Sequence, residues 1–191
     1  MAELVLFHHV LGLTPGIVAL AAELRAGGHT VHTPDMYEGK TFATLDEGMA
    51  HVRSVGFADV AARGVRAVEG LGPELVYAGY SLGVMPAQQL AQTRAGARGA
   101  LLIAACMPTE EFGGPWPAGV PLQIHAHEHD PEFDNGYDLP TAQAVVSEAA
   151  DGELFLYQGD KHFFADNSTT EYDAGATSEL VRHALAFLAR V

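Results

Sequence analysis

Ser81 stands in Gly79-Tyr80-Ser81-Leu82-Gly83, a spacing that suits a hydroxyl to nucleophilic attack. The residues before it, Glu74-Leu75-Val76-Tyr77-Ala78, predict a short buried strand, and Leu82 to Thr93 predict a helix. A serine at a strand-to-helix turn is held in a cramped backbone conformation with its Oγ projecting outward. The flanking glycines keep the neighbouring strand and helix clear of it. Leu82 N–H opens the helix and is placed to stabilise an oxyanion. A serine also needs a base to take its proton and a carboxylate to orient that base. Ligand sites in open α/β sheets collect at the carboxyl ends of the strands. The acid and base are therefore sought after strands downstream of Ser81, in the order Ser, Asp, His. Asp130 follows an apolar run ending near His125, and His162 follows one ending near Tyr157. Glu128 and Asp160 compete with Asp130 for the acid role. Of the ten histidines, His29, His32 and His51 precede the nucleophile and His183 falls on a terminal helix. His8 and His9 end the first strand and could line the site. The second oxyanion donor is expected from the loop after that strand, at Val10 N–H.

Other residues have a possible place around this centre. Trp116, Phe112, Phe133 and Phe163 fall in loops expected on the site face and could line an apolar pocket. Tyr37 and Glu38 follow the second strand and are expected to approach the substrate, as are His9 and Tyr80, the latter next to the nucleophile. Cys106 closes a strand, and a lone cysteine there reads as a small buried side chain. His125, His127 and His129 alternate, so an extended strand would put all three on one face with Asp130 beside them. That makes a metal-dependent hydrolase an alternative to the serine mechanism. A catalytically silent fold that binds a ligand is the other.

The elements that must position these groups alternate along the chain. Strands are predicted at Glu3 to His9, Thr30 to Thr33, Leu75 to Ala78, Gly99 to Ala105, Val120 to His125 and Leu154 to Tyr157. A helix is predicted from Pro15 to Arg25, with Thr14 as its N-cap and Gly27-Gly28 closing it. Leu45 to Leu71 predicts one or two helices, interrupted near Gly56; Thr141 to Ala149 and Ser178 to Arg190 predict two more. In the last, Leu180, Val181, Ala184, Leu185 and Leu188 recur at helical spacing. Strands separated by helices imply right-handed crossovers and a mainly parallel sheet covered on both faces, a three-layer α/β fold. The Pro- and Gly-rich loop Pro108 to Gly119 is too short for a lid domain, so an open site is expected.

With 191 residues, the chain reads as one domain with a substantial core. Its 24 acidic against 10 basic residues oppose charge-driven binding to nucleic acid or anionic membrane. One cysteine excludes an internal disulfide, and no apolar run approaches a membrane span, so the chain is read as cytoplasmic.

Several of these stretches together resemble the dienelactone hydrolase family of the α/β-hydrolase superfamily. They are Leu6-Phe7-His8-His9-Val10-Leu11-Gly12-Leu13, Pro34-Asp35-Met36-Tyr37-Glu38-Gly39, Gly79-Tyr80-Ser81-Leu82-Gly83, the segment ending at Asp130, and Gly159-Asp160-Lys161-His162-Phe163-Phe164-Ala165. The resemblance implies a triad of Ser81, Asp130 and His162, an oxyanion hole of Val10 and Leu82 N–H, a small ester or lactone substrate and no cofactor. It also implies a sheet shortened at its start to about six strands. Three positions depart from the family's pattern. Ser81 replaces the cysteine of the best-known members, His9 stands where they carry a glutamate, and Asp166 stands where they carry a substrate-gripping arginine. A carboxylate at position 166 would face an anionic dienelactone, which favours a serine esterase or lactonase.

Overall fold

A computed structural model describes residues 1–191. Six strands form one sheet: β1 Glu3–Phe7, β2 Thr30–His32, β3 Val76–Tyr80, β4 Gly99–Ile103, β5 Leu122–His127 and β6 Gly152–Tyr157. All neighbours are parallel and the order is β2-β1-β3-β4-β5-β6. Six helices connect and cover them: α1 Pro15–Ala26, α2 Leu45–Val55, α3 Phe57–Arg66, α4 Val84–Thr93, α5 Asp138–Glu148 and α6 Ala174–Leu188.

The alternation of side chains along each strand sorts the core into two layers. Val5 and Phe7 of β1, Tyr77 of β3 and Ile124 of β5 pack with Val52, Val60, Leu90 and Val145 of α2 to α5. Leu4 and Leu6 of β1 and Ala78 and Tyr80 of β3 pack on the other face with Ile17 and Leu20 of α1 and Leu180 and Phe187 of α6. Burial on both faces explains why β1, β3 and β4 read as continuous apolar runs. No helix is long and apolar enough to cross a membrane.

Local signals act where they stand. Thr14 Oγ1 accepts from Ile17 N–H at the start of α1, ahead of Pro15. Thr44 and Glu47 form a capping box on α2, and Gly56 (φ 104°) separates α2 from α3. Several predicted boundaries shift. β5 runs on to His127, α5 begins at Asp138, and α6 begins at Ala174, where Asp173 caps it by accepting from Ala176 N–H. The Pro108 to Gly119 loop contains a 3₁₀ turn, Thr109–Phe112.

Successive strands step to one side of β1 to form β2 and then to the other side to form β3. The carboxyl ends of β1 and β3 therefore flank the point where the strand order reverses, where a crevice must open. Packing is tightest there. A Cβ on Gly83 would lie 2.4 Å from Phe7 O and 2.8 Å from His8 O, and one on Gly79 would lie 2.2 Å from Gly83 O. These neighbours are backbone and cannot step aside. Gly83→Ala should cost about 1–3 kcal/mol of stability in urea denaturation. Gly70→Ala, with open space around the added methyl, should stay within about 0.5 kcal/mol of the parent.

Candidate active site

Ser81 has φ 51°, one of only three non-glycine residues in the left-handed region. Such a conformation is costly for a residue with a Cβ and persists only where surrounding structure imposes it. β3 ends at Tyr80 and a 3₁₀ turn, Ser81–Gly83, leads directly into α4. The reversal leaves the Ser81 side chain partly exposed while Leu82 and Gly83 are buried. Leu82 occupies the second position of this turn, where N–H groups find no partner inside the turn. Val10 is buried in the loop after β1, and its N–H is not taken up by the backbone hydrogen-bond network.

Three side chains meet in one hydrogen-bonded chain. Ser81 Oγ lies 2.8 Å from His162 Nε2, and His162 Nδ1 lies 2.7 Å from Asp130 Oδ2. An ionised carboxylate only accepts, so Nδ1–H donates to Asp130 and Nε2 is left to accept the serine proton. The other carboxylate oxygen of Asp130 accepts from Glu132 N–H at 2.9 Å, which fixes its orientation. Asp130 is fully buried and His162 nearly so. The two competing acids lie elsewhere: Asp160 pairs with Lys161 at 3.1 Å and Glu128 approaches His129 at 3.6 Å.

The loop carrying His162 is held from outside by Glu171. Its Oε2 accepts from the backbone N–H groups of both His162 and Phe163 at 3.0 Å. Tyr80 OH adds a second tie, donating to His162 O at 2.8 Å and accepting from Ala165 N–H at 3.2 Å. Two open clefts adjoin the chain. One, of about 430 Å³, is bounded by Leu45, Pro131, Lys161, His162, Phe163 and Glu171. The other, of about 380 Å³, shares Leu45, Phe163 and Glu171 and continues past Leu11 and Phe42.

Of the residues expected to touch substrate, Phe163 alone lines these clefts. Tyr80 is buried on the opposite face of the sheet and spends its hydroxyl on the His162 loop. Tyr37 is fully buried against His8, Phe42 and His51. Glu38 points to solvent, with Arg63 at 3.6 Å. The Pro34-Asp35-Met36-Tyr37 segment instead forms a turn, in which the Asp35 carboxylate accepts from Tyr37 and Gly39 N–H. Trp116 Nε1 donates to Val120 O just before β5, at the amino end of the sheet and away from Ser81. Phe133 is core.

His9 and Asp166, which depart from the family's pattern, are each other's partner. His9 Nε2 lies 2.8 Å from Asp166 Oδ2, and both side chains are fully buried. Asp166 is therefore enclosed and not exposed to a substrate. Its carboxylate also accepts from Thr14 Oγ1 at 2.5 Å and from Ser168 N–H and Oγ at 2.8 and 2.5 Å. Burial alone would raise the Asp166 carboxyl, but the hydrogen bonds from His9, Ser168 and Thr14 outweigh it and hold it down at about 2.

The histidine run does not assemble. The strand ends at His127, so His129 lies beyond it and is exposed, while His125 and His127 turn inward. His125 Nδ1 meets Tyr157 OH at 2.8 Å, and His127 stacks on Phe164 and accepts from Lys161 N–H at 2.9 Å. Burial lowers both imidazoles, His125 to about 3. No group of three His, Cys, Asp or Glu is arranged to hold a metal ion. Cys106 is buried, and burial, with Asp138 beside it, pushes its thiol up to about 12.

Residues 2–191 match the model of the dienelactone hydrolase family. This chain belongs to the dienelactone hydrolase family. No match is found among curated proteins. Solved structures share the fold at low identity. One is a dienelactone hydrolase from Anabaena variabilis (16% identity, 99% of this chain and 86% of that chain, TM-score 0.67). Another is a dienelactone hydrolase-like promiscuous phosphotriesterase from metagenomic libraries (16%, 100% and 86%, 0.74). A third is the esterase domain of a Rhodothermus marinus protein (12%, 99% and 87%, 0.61). The chain is thus a dienelactone hydrolase family member with the family's α/β-hydrolase fold, and the family supports a hydrolase.

The Asp166 cluster links stability to pH. Its folded value lies below the ordinary 3.8, so ionised Asp166 stabilises the fold above about pH 4. That contribution is lost as the pH falls toward 2. The unfolding free energy from urea titrations should fall across this window by an amount on the order of 2 kcal/mol. Asp166→Asn should be less stable at pH 7 and show a shallower fall over the same range.

Proposed function

We propose that this protein is a serine hydrolase that cleaves a small carboxylic ester or lactone through an acyl-enzyme intermediate. The observation that carries the reading is the unbroken chain from Ser81 through His162 to buried Asp130, at 2.8 and 2.7 Å. Ser81 Oγ attacks the carbonyl carbon as His162 Nε2 takes its proton. Asp130 holds the imidazole in the tautomer that can do this and stabilises the imidazolium that results. The carbonyl oxygen becomes an oxyanion, which Val10 and Leu82 N–H receive. Collapse of the tetrahedral adduct expels the alkoxide, and His162 returns its proton to it. Water, deprotonated by His162, then attacks the acyl group and releases Ser81.

No cofactor has a part in this sequence, and the partner is a small molecule. Around His162, Glu132, Asp160 and Glu171 border the first cleft, and its one lysine, Lys161, is paired with Asp160. That balance favours an uncharged ester or lactone over a dianionic one.

The test is hydrolysis of short-chain p-nitrophenyl esters by the parent, Ser81→Ala and His162→Ala, with and without chelator. Each substitution should lower kcat by roughly 10⁴- to 10⁶-fold, and chelator should change nothing. Ser81→Ala retaining a tenth of parental activity overturns the reading, and loss of activity to chelator points to a metal. If no ester is turned over, a fluorophosphonate probe decides: labelling of Ser81 keeps the nucleophile, and its failure leaves a silent binding fold.

A further inference from the structure

We propose that His9 is a positioning residue that holds the oxyanion donor, nucleophile and base in register, with Asp166 as its anchor; this rests on the serine-hydrolase reading above. His9 immediately precedes Val10. Its ring lies edge-on to Tyr80, which precedes Ser81, at 5.0 Å, and to Phe163, which follows His162, at 4.9 Å. One fully buried imidazole thus touches the chain neighbour of each reacting element. These come from the ends of β1, β3 and β6, which no local interaction would align.

Both ring nitrogens are engaged. Leu11 N–H donates to Nδ1 at 3.3 Å, so the proton sits on Nε2 and is donated to Asp166 Oδ2. The ring is therefore neutral and the carboxylate ionised, a polarity that burial favours by lowering the imidazole against the pull of Asp166. Asp166 extends the brace. Through Thr14 it grips the first turn of α1, and through Ser168 the segment following His162. A Cβ on Gly16 would lie 1.7 Å from Asp166 Oδ1, so α1 packs directly against the carboxylate. A buried polar network in which every member is satisfied makes a stiff joint. Here the joint lies between the loop that carries Val10 N–H and the loop that carries His162. A substrate cannot reach the ring, so its effect must pass through the groups it supports.

The test compares parent, His9→Ala, His9→Gln and Ser81→Ala on a short-chain p-nitrophenyl ester. Affinity for phenylboronic acid, whose tetrahedral serine adduct occupies the oxyanion position, is measured in parallel. His9→Ala should lower kcat by about 10- to 100-fold, the scale of a misplacement near 1 Å, with KM within about twofold. Boronate affinity should fall with kcat. His9→Gln, which offers Asp166 a neutral N–H donor, should recover most of the loss. A kcat for His9→Ala within twofold of the parent overturns the proposal. So does a rise in KM alone, which would mean a substrate contact, or an equal loss in both His9 variants, which would mean ring packing without the hydrogen bonds. Should His9→Ala not fold, Asp166→Asn carries the test: it should show the same kcat loss at constant KM, and full kcat overturns the brace. Activity in Ser81→Ala overturns the underlying reading, whereas an inactive Ser81→Ala beside a fully active His9→Ala overturns the brace alone.

Discussion

The backbone of Ser81 is the constraint on which the rest of the site depends. A serine with φ 51° between a strand and a helix turns its side chain out of the sheet and sends the chain back over it. Such a conformation costs on the order of 1–3 kcal/mol, and it is imposed by close packing rather than by local preference. Gly83 passes within van der Waals contact of the end of β1, and Gly79 passes under the start of α4. The cores on both faces of the sheet offset the strain. The same closeness brings the start of the β1 loop against the turn that carries Ser81, at the point where strand order reverses.

Around this turn the acidic groups divide by partner. Asp130 takes the imidazole N–H of His162, Glu171 takes the backbone N–H groups beneath that histidine, and Asp166 takes His9, Thr14 and Ser168. Each carboxylate is positioned by donors, and each in turn fixes a loop. The histidines divide by burial in the same way. His8, His9, His125 and His127 are packed as neutral rings, held below the ordinary histidine range by desolvation. His162 reaches the cleft and carries the serine contact.

The family comparison gains a physical meaning from the same contacts. Positions 9 and 166 depart from the family's pattern together and bond to one another. A carboxylate at 166 that seemed to oppose an anionic substrate is instead enclosed, its charge stabilised by four hydrogen bonds. The two positions thus form one internal pair in this chain, within a fold that solved structures share at 12 to 16% identity.

Much of the architecture was legible because it rests on local signals. Apolar runs buried on both faces, the Thr14-Pro15 helix start and the glycines flanking Ser81 each act within a few residues. Strand count, layer arrangement and the order of Ser81, Asp130 and His162 follow from those signals and the geometry of parallel crossovers. The aromatic residues were less legible. An aromatic in a loop reads alike whether it lines a cleft, as Phe163 does, or plugs the amino end of the sheet, as Trp116 does. Tyr37 and Tyr80 were expected near substrate by chain proximity and proved to be core, because alternation and loop direction decide which face a side chain enters. Glu171 left no trace, since its partners are backbone N–H groups that every residue carries. The amino-acid sequence by itself therefore determined the parallel α/β framework and which residues could serve as nucleophile, base and acid. Tertiary structure alone decided the acid that meets His162, the separation of the three alternating histidines and the pairing of His9 with Asp166. Those contacts join residues 32 to 157 positions apart, and only the packing of strand ends against one another brings them within hydrogen-bond reach.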